Sequence, residues 1–216
     1  MNKIDKIICV GKNYLEHSLE LNEPVPEKPV LFLKPASVLK QATDWEETIH
    51  AAFPALFNEN VQPECEIVLK VDVTATAIEA VAIGLDVTLR QYQSQLKKMG
   101  HPWTTAKVFV DSAIISPWIN GIEFEHLMNE EFTMAIDGVI RQRAYGNQMV
   151  MKPVDLLGYI SQFFPVCAGD IIFTGTPAGV SAITLGSKVD LNWSRYHLSV
   201  DWGNYARYDA MTVHGV

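Results

Sequence analysis

A β-rich α+β fold is what this chain predicts, and three observations predict it. Short apolar runs bounded by turn formers outnumber helical patterns, and no β–α–β rhythm spaces them. The strongest local signal, Asp137-Gly138 between two strand-like arms over 132–143, is a hairpin. With 216 residues, 48% hydrophobic and 19% charged, the chain has an ordinary globular balance, and one domain spanning 1–216 is expected.

Taken in order, Ile7–Val10 and Val30–Leu33 read as buried strands. Between them Pro24, Pro26 and Pro29 exclude a helix or a central strand. Lys40–Gln62 is polar with scattered aromatics and reads as surface loop with short turns. Glu64–Val71 reads as a strand, and so does Ile78–Leu85, ending at Asp86. Thr88 and Gln91 have capping-box spacing, which predicts a helix running through Gln91–Met99 and stopping at Gly100-His101-Pro102. Pro153–Phe164 reads as a second helix, with Val154, Leu157, Tyr159, Ile160 and Phe164 as its apolar side. Ile171–Phe173 is a short buried strand leading into the loop Gly175-Thr176-Pro177-Ala178-Gly179, and Lys188–Val213 alternates enough for two or three more strands.

Composition narrows the function classes. Seventeen Lys+Arg against 25 Asp+Glu give a net charge of −8, which disfavours nucleic acid and anionic membrane as partners. No run of 18 apolar residues is present to span a membrane, and the apolar stretch near the N-terminus is too brief for a signal peptide. Cys9, Cys65 and Cys167 are scattered, without metal-ligand spacing, and read as reduced thiols of a cytoplasmic protein.

Five constellations can carry chemistry. On a strand, Glu64 and Glu66 project to one face while Cys65 points to the other. Two carboxylates so close repel unless something positive lies between them, and a hard divalent cation, magnesium or manganese, satisfies both. The bland alternative is a solvated strand face. Asp86, at a strand end, can complete an oxygen-only set with them or simply favour a helix start. Arg90 and Gln93 share a helix face and can hold a substrate carboxylate and carbonyl, or be surface residues. His17 and Glu20 lie one turn apart if that stretch is helical, so that the carboxylate can orient the imidazole as a base. Lys107, among apolar neighbours, needs an anionic partner if buried, or snorkels to water. The two glycines around Thr176 allow a backbone to approach a ligand closely, and no lysine follows Gly179 to make it a P-loop.

In this order, these segments resemble the fumarylacetoacetate hydrolase family. The likeness runs from about residue 6 to 180, through Cys9–Tyr14, Pro29–Pro35, Glu64-Cys65-Glu66, Asp86–Gln93, Pro102-Trp103, Lys107 and Gly169–Val180. It implies a mixed β-sandwich roll with a few peripheral helices, a homodimer, and magnesium or manganese held by Glu64, Glu66 and Asp86. It also implies His17 and Glu20 as a catalytic dyad with Lys107, and Arg90, Gln93 and Thr176 as substrate contacts. The short chain is similar to the branch of acylpyruvate hydrolases, oxaloacetate decarboxylases and related isomerases. The activity implied first is metal-dependent C–C hydrolysis of an acylpyruvate such as fumarylpyruvate or acetylpyruvate. Oxaloacetate decarboxylation, and isomerisation or hydration of 2-oxo-dienoic acids in aromatic catabolism, would use the same site. A non-catalytic oxo-acid-binding protein is the alternative from another class. Val108, Val110, Ser181 and Gly186-Ser187-Lys188 depart from the pattern of many relatives, without touching a ligand position.

Overall fold

The structure, a computed structural model, describes residues 4–16, 28–54, 60–120 and 123–204. Its fold is the expected β-rich α+β type, with two sheets and three helices among the described residues. The larger sheet contains β1 (Lys6–Gly11), β2 (Val30–Pro35), β3 (Leu39–Gln41), β5 (Val61–Val71), β6 (Ile78–Leu89), β7 (Ala113–Ile115), β8 (Ile119–Asn120) and β11 (Ile171–Phe173). Its order is β2-β1-β11-β5-β6-β7-β3, with β8 also paired to β6. The smaller contains β4 (Thr48–Ala52), β9 (Glu131–Ile136), β10 (Val139–Tyr145), β12 (Lys188–Trp193) and β13 (Tyr196–Gly203), ordered β10-β9-β12-β13-β4. The helices are α1 (Arg90–Lys98), α2 (Phe124–Leu127) and α3 (Pro153–Ile160).

Strand alternation sorts the side chains of the larger sheet into two cores. Odd residues of β5 and β6, from Cys65, Ile67 and Leu69 to Val81, Ile83 and Leu85, join Phe132, Met134, Leu191, Trp193 and Val200 of the smaller sheet in one apolar core. Even residues Val68 and Ala82 join Ile7, Cys9, Ala113, Ile115, Ile171 and Phe173 in a second core on the opposite face. That second face is concave. Lys34 on β2 reaches Asp86 on β6 at 2.6 Å, although four strand intervals would put those strands about 19 Å apart in a flat sheet. Gly84 on β6 fits this crowded inner face because a Cβ there would lie 2.4 Å from the Ile114 carbonyl.

Most predicted elements are present, and four differ. Lys40–Gln62 is not simply surface loop: it holds the end of β3, all of β4, with Ile49 and Ala51 in the core, and the start of β5. Pairing between strands supplied the order that its sequence pattern lacks. The strand predicted to stop at Asp86 continues to Leu89, because Val87 and Leu89 are buried and pair with Pro63 and Val61 of β5. Thr88 therefore lies in β6 and caps nothing; the N–H of Arg90, which opens α1, is taken by the Asn60 carbonyl instead. The second helix ends at Ile160, and its buried side is Leu156, Leu157 and Ile160, with Val154 left 76% exposed. The Asp137-Gly138 hairpin is present, both residues adopting positive φ. The tail yields β12 and β13 before the described residues end at 204.

Candidate metal and substrate site

The site lies on the concave face, at the end of the β5–β6 ribbon where β7 pairs with β6. Glu64 and Asp86 are direct cross-strand partners, and Glu66 follows two residues along β5. All three side chains are buried, and one oxygen from each falls within 4.8 Å of the others. Cys65, as the alternation predicted, points away into the main core.

Three cations face these carboxylates. Lys107, buried just after a 3₁₀ turn at Thr104–Ala106, donates to Glu64 Oε2 at 2.6 Å and to Asp86 Oδ2 at 2.7 Å. Arg90, the first residue of α1, donates through its terminal nitrogen to Glu64 Oε1, through Nε to Gln62 Oε1 at 2.8 Å, and to Gln93 Oε1 at 2.8 Å. Lys34, fully buried, lies 2.6 Å from Asp86 Oδ1. Thr88 adds a hydroxyl donor to Glu64 Oε2 at 3.1 Å.

Glu66 is met by a main-chain donor instead. Its Oε2 accepts the Gly175 N–H at 2.7 Å. Burial, and then the neighbouring charges of Asp86 and Glu64, push its carboxyl well above the usual carboxylate range. For Lys107 burial works to lower the pKa, but Asp86 and Glu64 outweigh it and the net shift is upward, so the group stays protonated.

The loop after β11 closes the site. Gly175 takes φ +100°, and a Cβ there would lie 2.9 Å from the Asn13 Cβ and 3.0 Å from the Val10 carbonyl. Asn13, itself buried, donates to the Thr174 carbonyl at 2.9 Å and accepts from Met151 N at 2.8 Å, which ties the end of the β1 segment to this loop. Thr176 donates its hydroxyl proton to the Cys65 carbonyl at 2.8 Å and accepts from Gln142 Nε2 at 2.8 Å. Gln142 comes from the smaller sheet. The β9–β10 register shifts between Ile140 and Gln142, and Gln142 is buried with its Oε1 accepting from Cys65 N at 2.9 Å.

These groups line a cavity of about 390 Å³. Glu64, Glu66, Asp86, Lys107, Arg90, Gln93 and Thr176 all border it, beside an apolar wall of Val30, Phe32 and Trp103, with Lys12 and Lys97 also on its lining. Phe32 and Trp103 pack edge to face with centroids 4.9 Å apart, and the Lys107 ammonium sits 5.0 Å from the Phe32 ring. Seven of the nine site residues read from the sequence are thus brought together. The other two, His17 and Glu20, lie outside the described residues.

Four contributors were missed. Lys34 had a signal, a lysine inside an otherwise apolar strand run. Asn13 lies in the Cys9–Tyr14 motif, and capping-box spacing disguises Thr88 as a helix start. Gln142 had no local signal, since a strand register shift two elements away aims it. The donor set fits a hard divalent cation: three buried carboxylates, with no sulfur or imidazole among the clustered described residues.

Comparison with known proteins agrees with this geometry. Residues 6–198 match the family model described as fumarylacetoacetate (FAA) hydrolase C-terminal. A curated Escherichia coli (strain K12) protein named oxaloacetate tautomerase YcgM is 35% identical over 206 residues, covering 91% of each chain. A Dictyostelium discoideum protein named mitochondrial oxaloacetate decarboxylase is 32% identical over 194 residues, covering 85% of this chain and 86% of its own. Among solved structures, a fumarylpyruvate hydrolase from Pseudomonas aeruginosa, in complex with Mn2+ and pyruvate, superimposes with a TM-score of 0.86 at 29% identity, covering 95% of this chain and 93% of its own. Sequence motifs, fold and these matches converge: the chain belongs to the fumarylacetoacetate hydrolase family.

Proposed function

We propose that the chain is a divalent-metal-dependent enzyme of short 2-oxo acids, with oxaloacetate as its first substrate and keto–enol interconversion as its first reaction. The observation that carries this reading is the buried Glu64–Glu66–Asp86 set, faced by a protonated Lys107 in a cavity sized for a small acid. The sequence alone put C–C hydrolysis of an acylpyruvate first; the names of the similar curated proteins move oxaloacetate ahead of it.

Magnesium or manganese held by Glu64, Glu66 and Asp86 would supply a Lewis acid for the oxo-acid end of a substrate. The remaining work falls to this chain's own groups. Asp86 and Glu64 keep Lys107 protonated before any ion binds, and in this reading it holds positive charge where a carbonyl oxygen gains electron density. Arg90 anchors Glu64 and orients Gln93, whose amide nitrogen is left to donate to a substrate oxygen. Thr176, its proton already committed to Cys65, meets a substrate as an acceptor. Phe32 and Trp103, both half-buried, give the cavity an apolar wall beside these charges.

His17 and Glu20 take the base's part that the family resemblance implies. In tautomerisation the base removes a proton from the carbon beside the 2-oxo group, the electron pair moves toward the 2-oxo oxygen, and that oxygen gains a proton. In hydrolysis the same base takes a proton from the water that attacks the distal carbonyl; the bond from that carbon to the methylene then breaks, releasing the distal acid and a pyruvate enolate that takes the proton. The second reading, fumarylpyruvate hydrolysis, is favoured by the likeness to the Pseudomonas aeruginosa enzyme.

The test is a metal-dependent panel of oxaloacetate (enol absorbance and carbon dioxide release followed separately), acetylpyruvate and fumarylpyruvate. Enol–keto exchange accelerated by protein plus Mn2+, and lost on chelation, is the expected result. Tight Mn2+-dependent pyruvate or oxalate binding without turnover of any member would replace the enzyme with a binding protein.

A further inference from the structure

Lys34 has no part in the chemistry set out above. It does not line the cavity, and its side chain has no exposure. Its ammonium donates to two main-chain carbonyls, Val87 at 3.3 Å and Ser112, and forms an ion pair with Asp86 Oδ1 at 2.6 Å, an oxygen that accepts no hydrogen bond among the described residues. Asp86 therefore has one oxygen on Lys34, away from the cavity, and the other on Lys107, which lines it and also holds Glu64. The terminal torsion of an aspartate is broad, so nothing intrinsic fixes which oxygen faces the cluster.

We infer that Lys34 is a positioning residue for the metal site: it pins Asp86 Oδ1 from behind and so turns Oδ2 toward the other carboxylates. The inference rests on the metal reading proposed above. A purely architectural role is the competing account, since the same contact is a chord across the curled sheet, from β2 to β6. The two accounts predict different metal binding. Removing a buried cation beside a metal ligand, by charge alone, would tighten a divalent ion; an architectural staple, once the protein folds, would leave affinity unchanged. Only loss of positioning weakens it, by roughly 10–100-fold for groups of this kind.

The experiment measures Mn2+ affinity from the free-ion electron paramagnetic resonance signal, for the parent, Lys34→Met, Asp86→Asn and the double variant, with circular dichroism confirming the fold. The expected result is a roughly 10–100-fold loss in Lys34→Met and no further loss when Lys34→Met is added to Asp86→Asn. Unchanged or tighter binding by folded Lys34→Met overturns the inference. If Lys34→Met does not fold, the pair Asp86→Asn and double variant still decides: equal affinity supports action through Asp86, and a further tenfold loss contradicts it. A parent that binds no Mn2+ removes the metal reading and this inference together. A parent that binds while Lys34→Met binds equally well removes this inference alone.

Discussion

Odd and even residues of the β5–β6 ribbon share the same two strands and the same depth of burial, yet they meet opposite chemistry. Cys65, Ile67, Leu69, Ile83 and Leu85 pack with residues of the smaller sheet in the apolar core. Glu64, Glu66, Asp86 and Thr88 face the concave side and bring three carboxylates out of water. Further along that same face Val68 and Ala82 are apolar again, so the charge is confined to one end. The first face stabilises the fold by burial alone. The second is tolerable only because Lys34, Lys107, Arg90, Thr88 and the Gly175 N–H meet it. A fold that concentrates buried like charges in one place, while its neighbouring face is ordinary core, must compensate them there.

The comparison breaks most severely at Glu66. Glu66→Gln removes one proposed ligand while keeping shape and the capacity to accept from Gly175, so turnover should fall by about a thousandfold, the equivalent of several kcal/mol of Lewis-acid stabilisation. Apo thermal unfolding should be no lower than the parent's, because a neutral side chain suits a site that already pushes this carboxyl toward its protonated form. Parallel kinetics and unfolding curves check both halves.

Lys107→Met leaves Glu64 and Asp86 short of a buried partner, a change of a kind that costs about 3–5 kcal/mol. Unfolding in chelator should show that loss, and Mn2+ should restore more stability to this variant than to the parent. Equal restoration would mean that Lys107 does not balance the cluster. On the opposite face, Ile67→Ala should cost about 2–5 kcal/mol by urea unfolding while leaving Mn2+ affinity as it was. A change in affinity there would show that the two faces are coupled.

The smallest effect is a slope. The folded-state pKa of Glu66 lies above its ordinary 4.5, so the folded chain holds this proton more tightly than the unfolded one. Its contribution is therefore complete below pH 4.5 and is lost as pH rises toward the folded value, at up to about 1.4 kcal/mol per pH unit. Apo stability should decline over that window in the parent, and the Glu66→Gln variant should lack this component when the two curves are subtracted. Mn2+ binding in the same window should release a proton.

Period-two alternation makes this contrast legible in the sequence: spacing alone puts Glu64 and Glu66 on one face and Cys65 on the other. Asp86, an acid at a strand end, and Lys107, a lysine among apolar neighbours, are visible as candidates, and the family resemblance joins them to the pair, because nothing local brings residues 64, 86 and 107 together. What escaped notice depends on strand pairing. β4 is held by parallel pairing with β13, about 150 residues later in the chain, so a polar stretch became a strand. β6 outlasted its predicted end because β5 offered it partners as far as Leu89, and Thr88 became a donor to Glu64 instead of a cap. Lys34 was visible as an oddity in an apolar run, but its target depends on the curl of a sheet, which no spacing encodes. Gln142 is aimed by a register shift in the other sheet.

Calorimetric titration of the chelator-stripped protein with Mn2+ tests the central claim most directly. The account predicts one ion bound per chain, with heat that depends on buffer ionisation as Glu66 yields its proton, and binding weakened by about a hundredfold in Glu66→Gln. No binding by the parent, or equal binding by the parent and that variant, would contradict it.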